Sequence, residues 1–228
     1  MEIIKRLDNR VICRLPSLRL INDGFLSQLS WADGIEKFII LFDSPIDDEW
    51  AGLSGITGVD RVWLVYSAIR AEIPAGTVNQ THFTETALPL AQELAALFSE
   101  SRLAYYRSMN RDLTERQLAE SKAFVEKVLP GSRRICLQKD GKPVALLMLV
   151  EAKDFDGKPV DWVPWVWIEK TLTPKEREVV HSRFRQWLKD GALERVQCSI
   201  SSSNGRSQKF FRKLGFKPEC IHILKEKR

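Results

Sequence analysis

Asn204-Gly205-Arg206-Ser207-Gln208-Lys209-Phe210-Phe211-Arg212-Lys213-Leu214-Gly215-Phe216 is the stretch that decides the fold. It reads as a helix with both ends specified. Asn204 can cap the N-terminus by accepting from a first-turn backbone N–H. Ser207 is small, which suits a close approach to the helix. Gly215 can take the left-handed conformation that ends a helix, and Phe216 returns to the core. An ordinary amphipathic helix with a glycine C-cap explains Gly215 but not the whole spacing.

The flanks extend the pattern. Arg195 to Ile200 reads as a strand before this helix, and Ile221 to Leu224 as a strand after it. Upstream, Thr173-Pro174-Lys175-Glu176 combines a capping box with proline at the first helical position. Val180, Phe184, Trp187 and Leu188 give that helix a buried face, and Gly191 ends it. Asp161 to Ile168 reads as a strand, interrupted by Pro164, which cannot donate to a ladder and suits a bulge, an edge or a local splay. Arg134 to Gln138 and Pro143 to Val150 are strands joined at Lys139-Asp140-Gly141, with a further tight turn at Asp156-Gly157. Thr114-Glu115-Arg116-Gln117 opens another helix, carried by Leu118, Val125, Val128 and Leu129 and stopped at Pro130-Gly131. Ala87, Leu90, Ala91, Leu94 and Phe98 repeat at helical spacing, after a short strand at Thr81 to Thr84.

Residues 1–76 read as an α/β segment. Val11 to Leu15, Lys37 to Phe42 and Arg61 to Ile69 are strands, with a stop at Asp43-Ser44-Pro45 and a short helix over Asp47 to Leu53 ending near Gly55. Pro74-Ala75-Gly76 is the expected boundary. Residues 77–228 then follow the order β-α-α-β-β-β-α-β-α-β. The expected class is α/β, in the sense of a mixed α+β sheet, with the N-terminal segment added to the main domain.

The chain has 228 residues and a formal net charge of +5. Residues 1–76 carry 8 Lys and Arg against 11 Asp and Glu, a net −3, while residues 77–228 carry 27 against 19, a net +8. Such a field suits an anionic partner, although a mixed solvated surface explains a modest excess equally. Cys13, Cys136, Cys198 and Cys220 form no C-x-x-C pair, and His82, His181 and His222 form no constellation with them, so no metal is expected. Free cysteines in apolar runs, an N-terminus without a signal-like apolar stretch, and no apolar run near ~20 residues point to a cytoplasmic protein with no membrane partner.

The spacing of Asn204, Ser207, Phe210, Phe211 and Leu214-Gly215-Phe216 resembles the late motif of the GNAT (GCN5-related N-acetyltransferase) superfamily, and the strand-helix order resembles that fold over about two-thirds of the chain. The resemblance implies a GNAT-like core and an N-acyltransferase, an acetyltransferase first of all. Acetyl-CoA or another acyl-CoA would lie between the strands at Asp161–Ile168 and Arg195–Ile200. An amine, on a small molecule or a protein, would attack the carbonyl directly without a covalent enzyme intermediate. Cofactor contacts would fall on Trp165, Val166, Trp167, Lys175, Arg177, Asn204, Ser207, Phe210 and Phe211. Tyr105, Tyr106 and Arg107 would contact the acceptor from the connection between the first two helices. Asp161, then Glu169, are the candidate general bases; Glu151 is a further carboxylate beside the same strands.

Two departures from the family pattern stand out. The pyrophosphate loop, Arg/Gln-x-x-Gly-x-Gly/Ala in the family, is here Leu172-Thr173-Pro174-Lys175-Glu176-Arg177, without either glycine. Phe211 stands where a tyrosine often acts as general acid. These departures keep alternatives open: a donor borne on an acidic carrier protein or on tRNA, or a non-catalytic binding or regulatory module. The role of residues 1–76 also stays open among covering the acceptor cleft, forming a homodimer contact, and being a degenerate half of a duplicated fold.

Overall fold

In the computed structural model, residues 2–7, 10–16, 20–21, 37–42, 61–76, 83–86, 91–108 and 115–224 are described. The elements in chain order are β1 (Glu2–Leu7), β2 (Arg10–Leu15), β3 (Lys37–Phe42), β4 (Arg61–Ile69), β5 (Phe83–Thr86), α1 (Ala91–Ser108), α2 (Glu115–Ala123), β6 (Arg133–Lys139), β7 (Lys142–Lys153), β8 (Pro159–Trp162), β9 (Val166–Ile168), α3 (Pro174–Lys189), β10 (Arg195–Ser201), α4 (Gly205–Lys213) and β11 (Lys217–Leu224). They fall into two compact units, Met1–Ile73 with Gln197–Arg228, and Pro74–Val196. The first junction lies at the Pro74-Ala75-Gly76 stretch. The second, inside β10, returns the C-terminal residues to the unit of the N-terminal strands.

In the unit of the two chain ends the sheet order is β1-β2-β3-β11-β4-β10. β2 and β3 run parallel, whereas β11 is antiparallel to both β3 and β4. The C-terminal strand is therefore central, and Cys220, Ile221 and Ile223 are buried within it, against Leu41, Ile40 and Phe38 on one side and Val65, Leu64 and Val62 on the other as ladder partners. The register between β11 and β4 shifts between Pro218 and Cys220, next to a proline that has no N–H to give.

In the unit of residues 74–196, β8-β7-β6-β5 form an antiparallel array. The β6–β7 turn is Asp140-Gly141, both in the left-handed region, at φ 51° and 75°; this is the backbone of a two-residue hairpin whose twist matches its strands. β7 is buried continuously from Val144 to Leu149. One of its faces presents Leu146 and Met148 to a core with Leu94 and Phe98 of α1, Leu129, Cys136 and Trp165.

Three expected elements take a different form. The strand expected over Asp161 to Ile168 is split into β8 and β9, both antiparallel to β7. Val150 opposes Trp162 and Leu147 opposes Val166, so two residues of β7 face three, Val163 to Trp165, across the ladder. This is a one-residue bulge at Pro164. The connection expected from Ser101 to Arg107 is the last part of α1. That stretch holds no glycine or proline, and the Ser101 hydroxyl donates to the Phe98 carbonyl at 2.8 Å, so it does not compete with the helix. The second helix passes at Phe124 into a π turn through Val128, where Leu129 N donates to Phe124 O at 3.1 Å. Phe124 stacks there on Phe98, with centroids 4.3 Å apart. Strand β1 had no signal in the sequence. The stop at Asp43-Ser44-Pro45, the helix over Asp47 to Leu53 with Gly55, the expected strand start at Thr81, and Thr77, His82, Ala87, Leu90 and Thr114 lie outside the described residues.

Candidate functional site

Thr173 caps α3 by the box its sequence specifies. Its Oγ1 accepts from Glu176 N at 3.3 Å, and Glu176 Oε2 accepts from Thr173 N and Oγ1, each at 2.7 Å. The other oxygen, Oε1, accepts from Lys139 Nζ on β6 at 2.6 Å. The lysine hydrogen bond first, and the Thr173 bonds next, hold the Glu176 carboxyl down at about 2, while the same bond raises Lys139. Arg177 points back along the loop: Nε donates to Leu172 O at 2.9 Å and Nη2 to Lys170 O at 2.5 Å. Lys175 is exposed on the first turn. Among the N–H groups here, Pro174 has none, Thr173 N serves Glu176, Glu176 N serves Thr173, Arg177 N serves Thr173 O, and Lys175 N stays outside the capping box. The α3 N-terminus thus carries the chain's own carboxylate where a diphosphate would need bare amides. The residues present do not fit a diphosphate at this terminus.

The β8–β9 segment sorts the expected contacts. Trp165 is 9% exposed and meets Phe98 edge-on at 5.0 Å, a core position. Trp167 packs partly against the same core, and Val166 opposes Leu147 on β7. Asp161 is fully buried, with Oδ1 accepting from Arg133 Nη2 at 2.6 Å. Glu169 sits just past β9, half-buried, and its Oε1 accepts from Lys170 N at 2.6 Å and Thr171 N at 3.3 Å. Glu151, on β7, is exposed. Glu169, Arg177 and Glu176 are therefore gathered on one β9–α3 turn, which Asp161 does not share.

The last part of α1 carries the expected acceptor contacts. Tyr105 and Tyr106 meet edge-on at 5.5 Å; Tyr106 is buried, and Arg102 lies 5.8 Å from its ring centre. Arg107 is exposed.

In the other unit, α4 is terminated as its sequence specifies. Asn204 Oδ1 accepts from Ser207 N at 3.0 Å. At the far end Phe216 N donates to Phe211 O and Gly215 N to Arg212 O, each at 3.0 Å, with Gly215 at φ 95°. This is a Schellman motif, completed by the Phe211–Phe216 ring contact at 5.1 Å. Phe211 is 3% exposed, and Phe210, half-buried, meets it edge-on at 5.1 Å. Phe211 therefore packs as core. Ser207 is half-buried.

All four cysteines are buried, and burial pushes the Cys13 thiol up to about 11 and Cys198 well above its ordinary value. Among the described residues no group of His, Cys, Asp and Glu could hold a metal ion, and no helix is long and apolar enough to cross a membrane.

Neither the Lys139–Glu176 pair, which organises the turn, nor the Arg133–Asp161 pair on β6 and β8 carried a signal in the sequence, because each joins residues far apart in the chain. The capping box was the one hint, since it already committed Glu176 to the α3 terminus.

No family model and no curated protein matches the chain. Its fold is similar to that of a GCN5-related N-acetyltransferase from Kribbella flavida, at 11% identity and TM-score 0.46, over 82% of this chain and 66% of that one. It is also similar to a functionally unknown conserved protein from Staphylococcus epidermidis, at 11% identity and TM-score 0.48, over 100% and 94%. A third likeness is to a putative acetyltransferase of the GNAT family from Novosphingobium aromaticivorans, at 14% identity and TM-score 0.43, over 89% and 78%. The chain spans just under two-thirds of the length of the Kribbella protein. The elements themselves make the class mixed α+β, with a mixed sheet and few helices.

Proposed function

We propose that the chain is an N-acyltransferase of GNAT type, moving an acyl group to an amine by direct attack on the donor's carbonyl. The observation that carries this reading is the bulge at Val163–Trp165. There the strand leaves the even ladder of β7 beside a proline, and in this reading the N–H of Val163 or Trp165 would meet the donor's carbonyl, while the Trp165 carbonyl accepts from Met148 N at 3.1 Å. The Asn204–Phe216 motif, folded with both its caps, supports it.

In this reading the acceptor's ammonium proton goes to Glu169. Asp161 is enclosed with Arg133, whereas Glu169 stands half-exposed at the end of β9. The nitrogen then bonds to the carbonyl carbon as the bond to the donor's leaving group breaks. Trp165 acts as packing beneath the bulge, while Val166 and Trp167 remain proposed contacts for the donor. Tyr105 and Arg107 would contact the acceptor.

A second reading takes the donor from a carrier protein or tRNA. The closed α3 terminus favours it, because such a donor does not require a diphosphate there. Thermal unfolding with acetyl-CoA and longer acyl-CoAs separates the two. A ligand at ~100 times its Kd stabilises by roughly 2.7 kcal/mol. A shift with an acyl-CoA supports that donor and ranks the chains; no shift with any of them removes acyl-CoA as the donor and leaves a carrier- or tRNA-borne donor or a non-catalytic module.

A further inference from the structure

Arg134 is a cation set into an apolar face. The ladders put it opposite Met148 and beside Cys136, Leu146, Val150 and Trp162, all uncharged. Cys136, Leu146 and Met148 are fully buried there, and Arg134 is half-buried. Burying a guanidinium costs free energy unless its donors are met. Here they are met poorly. Nη1 donates to Leu129 O at 3.3 Å, and the buried Nε finds no acceptor. Leu129 O does not need the arginine, because Ser132 Oγ donates to it at 2.7 Å and Ser132 N at 3.3 Å, which occupies both lone pairs of the carbonyl. Other cations of β6 are served differently: Arg133 has Asp161 and Lys139 has Glu176, each at 2.6 Å. Among the described residues no carboxylate pairs with Arg134. The carbonyl it touches follows directly on the π turn of Phe124–Val128, a form that recurs at functional sites. A buried donor left open calls for an explanation, and a ligand that closes it supplies one.

We infer that Arg134 binds the carboxylate of a small amino acid, which makes the acceptor an amine that carries a carboxylate. That the ligand is the acceptor rests on the acyl-transfer reading; the carboxylate contact does not. The guanidinium can leave its long Leu129 bond for a charged acceptor, because Ser132 keeps that carbonyl satisfied. Nε and Nη2 then form the parallel donor edge that a carboxylate accepts at two points. One guanidinium on an uncharged face balances one negative charge. A phosphate monoester carries about −1.5 to −2 at pH 7 and would bring charge that nothing on this face offsets. Arg134 is also placed for the acceptor. Met148, its ladder partner, donates N–H to Trp165 O at 3.1 Å, so two strand spacings, about 10 Å, separate Arg134 from the bulge. One small molecule can reach both.

The test is isothermal titration calorimetry of the full chain, without any acyl donor, with glycine, L-alanine, L-phenylalanine and L-glutamate and with the α-carboxamide of each. The amide keeps the ammonium and the side chain and removes only the charge that Arg134 would meet. At least one acid is expected to bind about 10- to 140-fold more tightly than its amide, as a charge-assisted contact gives. R134Q is expected to bring that ratio to about one, and R134K, which keeps the charge but loses the fork, to leave it between the two. Both variants are expected to keep the parent's circular dichroism and Tm, since Leu129 O stays bonded to Ser132. No binding of any acid at millimolar concentration, acids and amides bound alike, an R134Q variant that keeps the preference, or phosphoserine amide bound more tightly than every acid would each overturn the assignment. A separate turnover assay with the acid that binds and acetyl-CoA or a longer acyl-CoA tests its role as acceptor. Binding without product with any donor removes that role and leaves the carboxylate site standing.

Discussion

Trp165 offers the sharpest test of how the β8–β9 segment works. Its residue is 9% exposed, its ring meets Phe98 edge-on at 5.0 Å, and it completes a cluster with Leu94, Leu129, Cys136, Leu146 and Met148. If it is core, Trp165→Ala loses both the transfer energy of the ring and the packing around the space it leaves, about 3–5 kcal/mol. For a chain of this size each kcal/mol moves the midpoint by about 2–4 °C, so Tm is expected to fall by about 6 to 20 °C. Trp165→Phe keeps an aromatic edge for Phe98 and is expected to lose much less. The measurement is thermal unfolding by circular dichroism, with near-ultraviolet signal recorded to confirm native packing before heating. A residue that instead lined a ligand cavity would be truncated at small cost to the empty protein. A loss below about 1 kcal/mol in Trp165→Ala would refute the core reading and return the side chain to the list of donor contacts.

Three further outcomes follow from the geometry. Glu176 titrates at about 2 in the folded chain and at about 4.3 unfolded, so its contribution is complete above the unfolded value and drains away as pH falls toward 2; acid unfolding of Glu176→Gln is expected to lack that component, and identical acid profiles would contradict the Lys139–Glu176 bridge. Gly76→Ala would set a methyl carbon 2.3 Å from the Ser182 carbonyl oxygen and 2.7 Å from its Oγ; a cost of about 1–3 kcal/mol or more is expected by urea unfolding, and a neutral substitution would mean that the two backbones do not touch. Gly215→Ala forces a side chain into the left-handed region at φ 95° and is expected to cost about 1–2 kcal/mol, again by urea unfolding; no loss would mean that the Schellman turn is not the end of α4.

What was legible in the sequence is what a few neighbouring residues decide. Thr173-Pro174-Lys175-Glu176 specified the start of α3, Asp140-Gly141 the hairpin, and Asn204 with Gly215-Phe216 both ends of α4, because a cap or a tight turn is closed by hydrogen bonds within five residues of chain. The apolar runs Lys37–Phe42 and Arg61–Ile69 declared themselves as strands by their local run of apolar residues, although not their partners. Tertiary structure alone decided the rest. It set β11 between β3 and β4, it bound Glu176 to Lys139 and Asp161 to Arg133, and it turned Trp165 from an expected cofactor contact into core. Each of these joins positions far apart along the chain, and a strand's partners or a carboxylate's counter-charge are not written in the residues beside it. They depend on which segments the collapsed chain brings to within hydrogen-bonding distance.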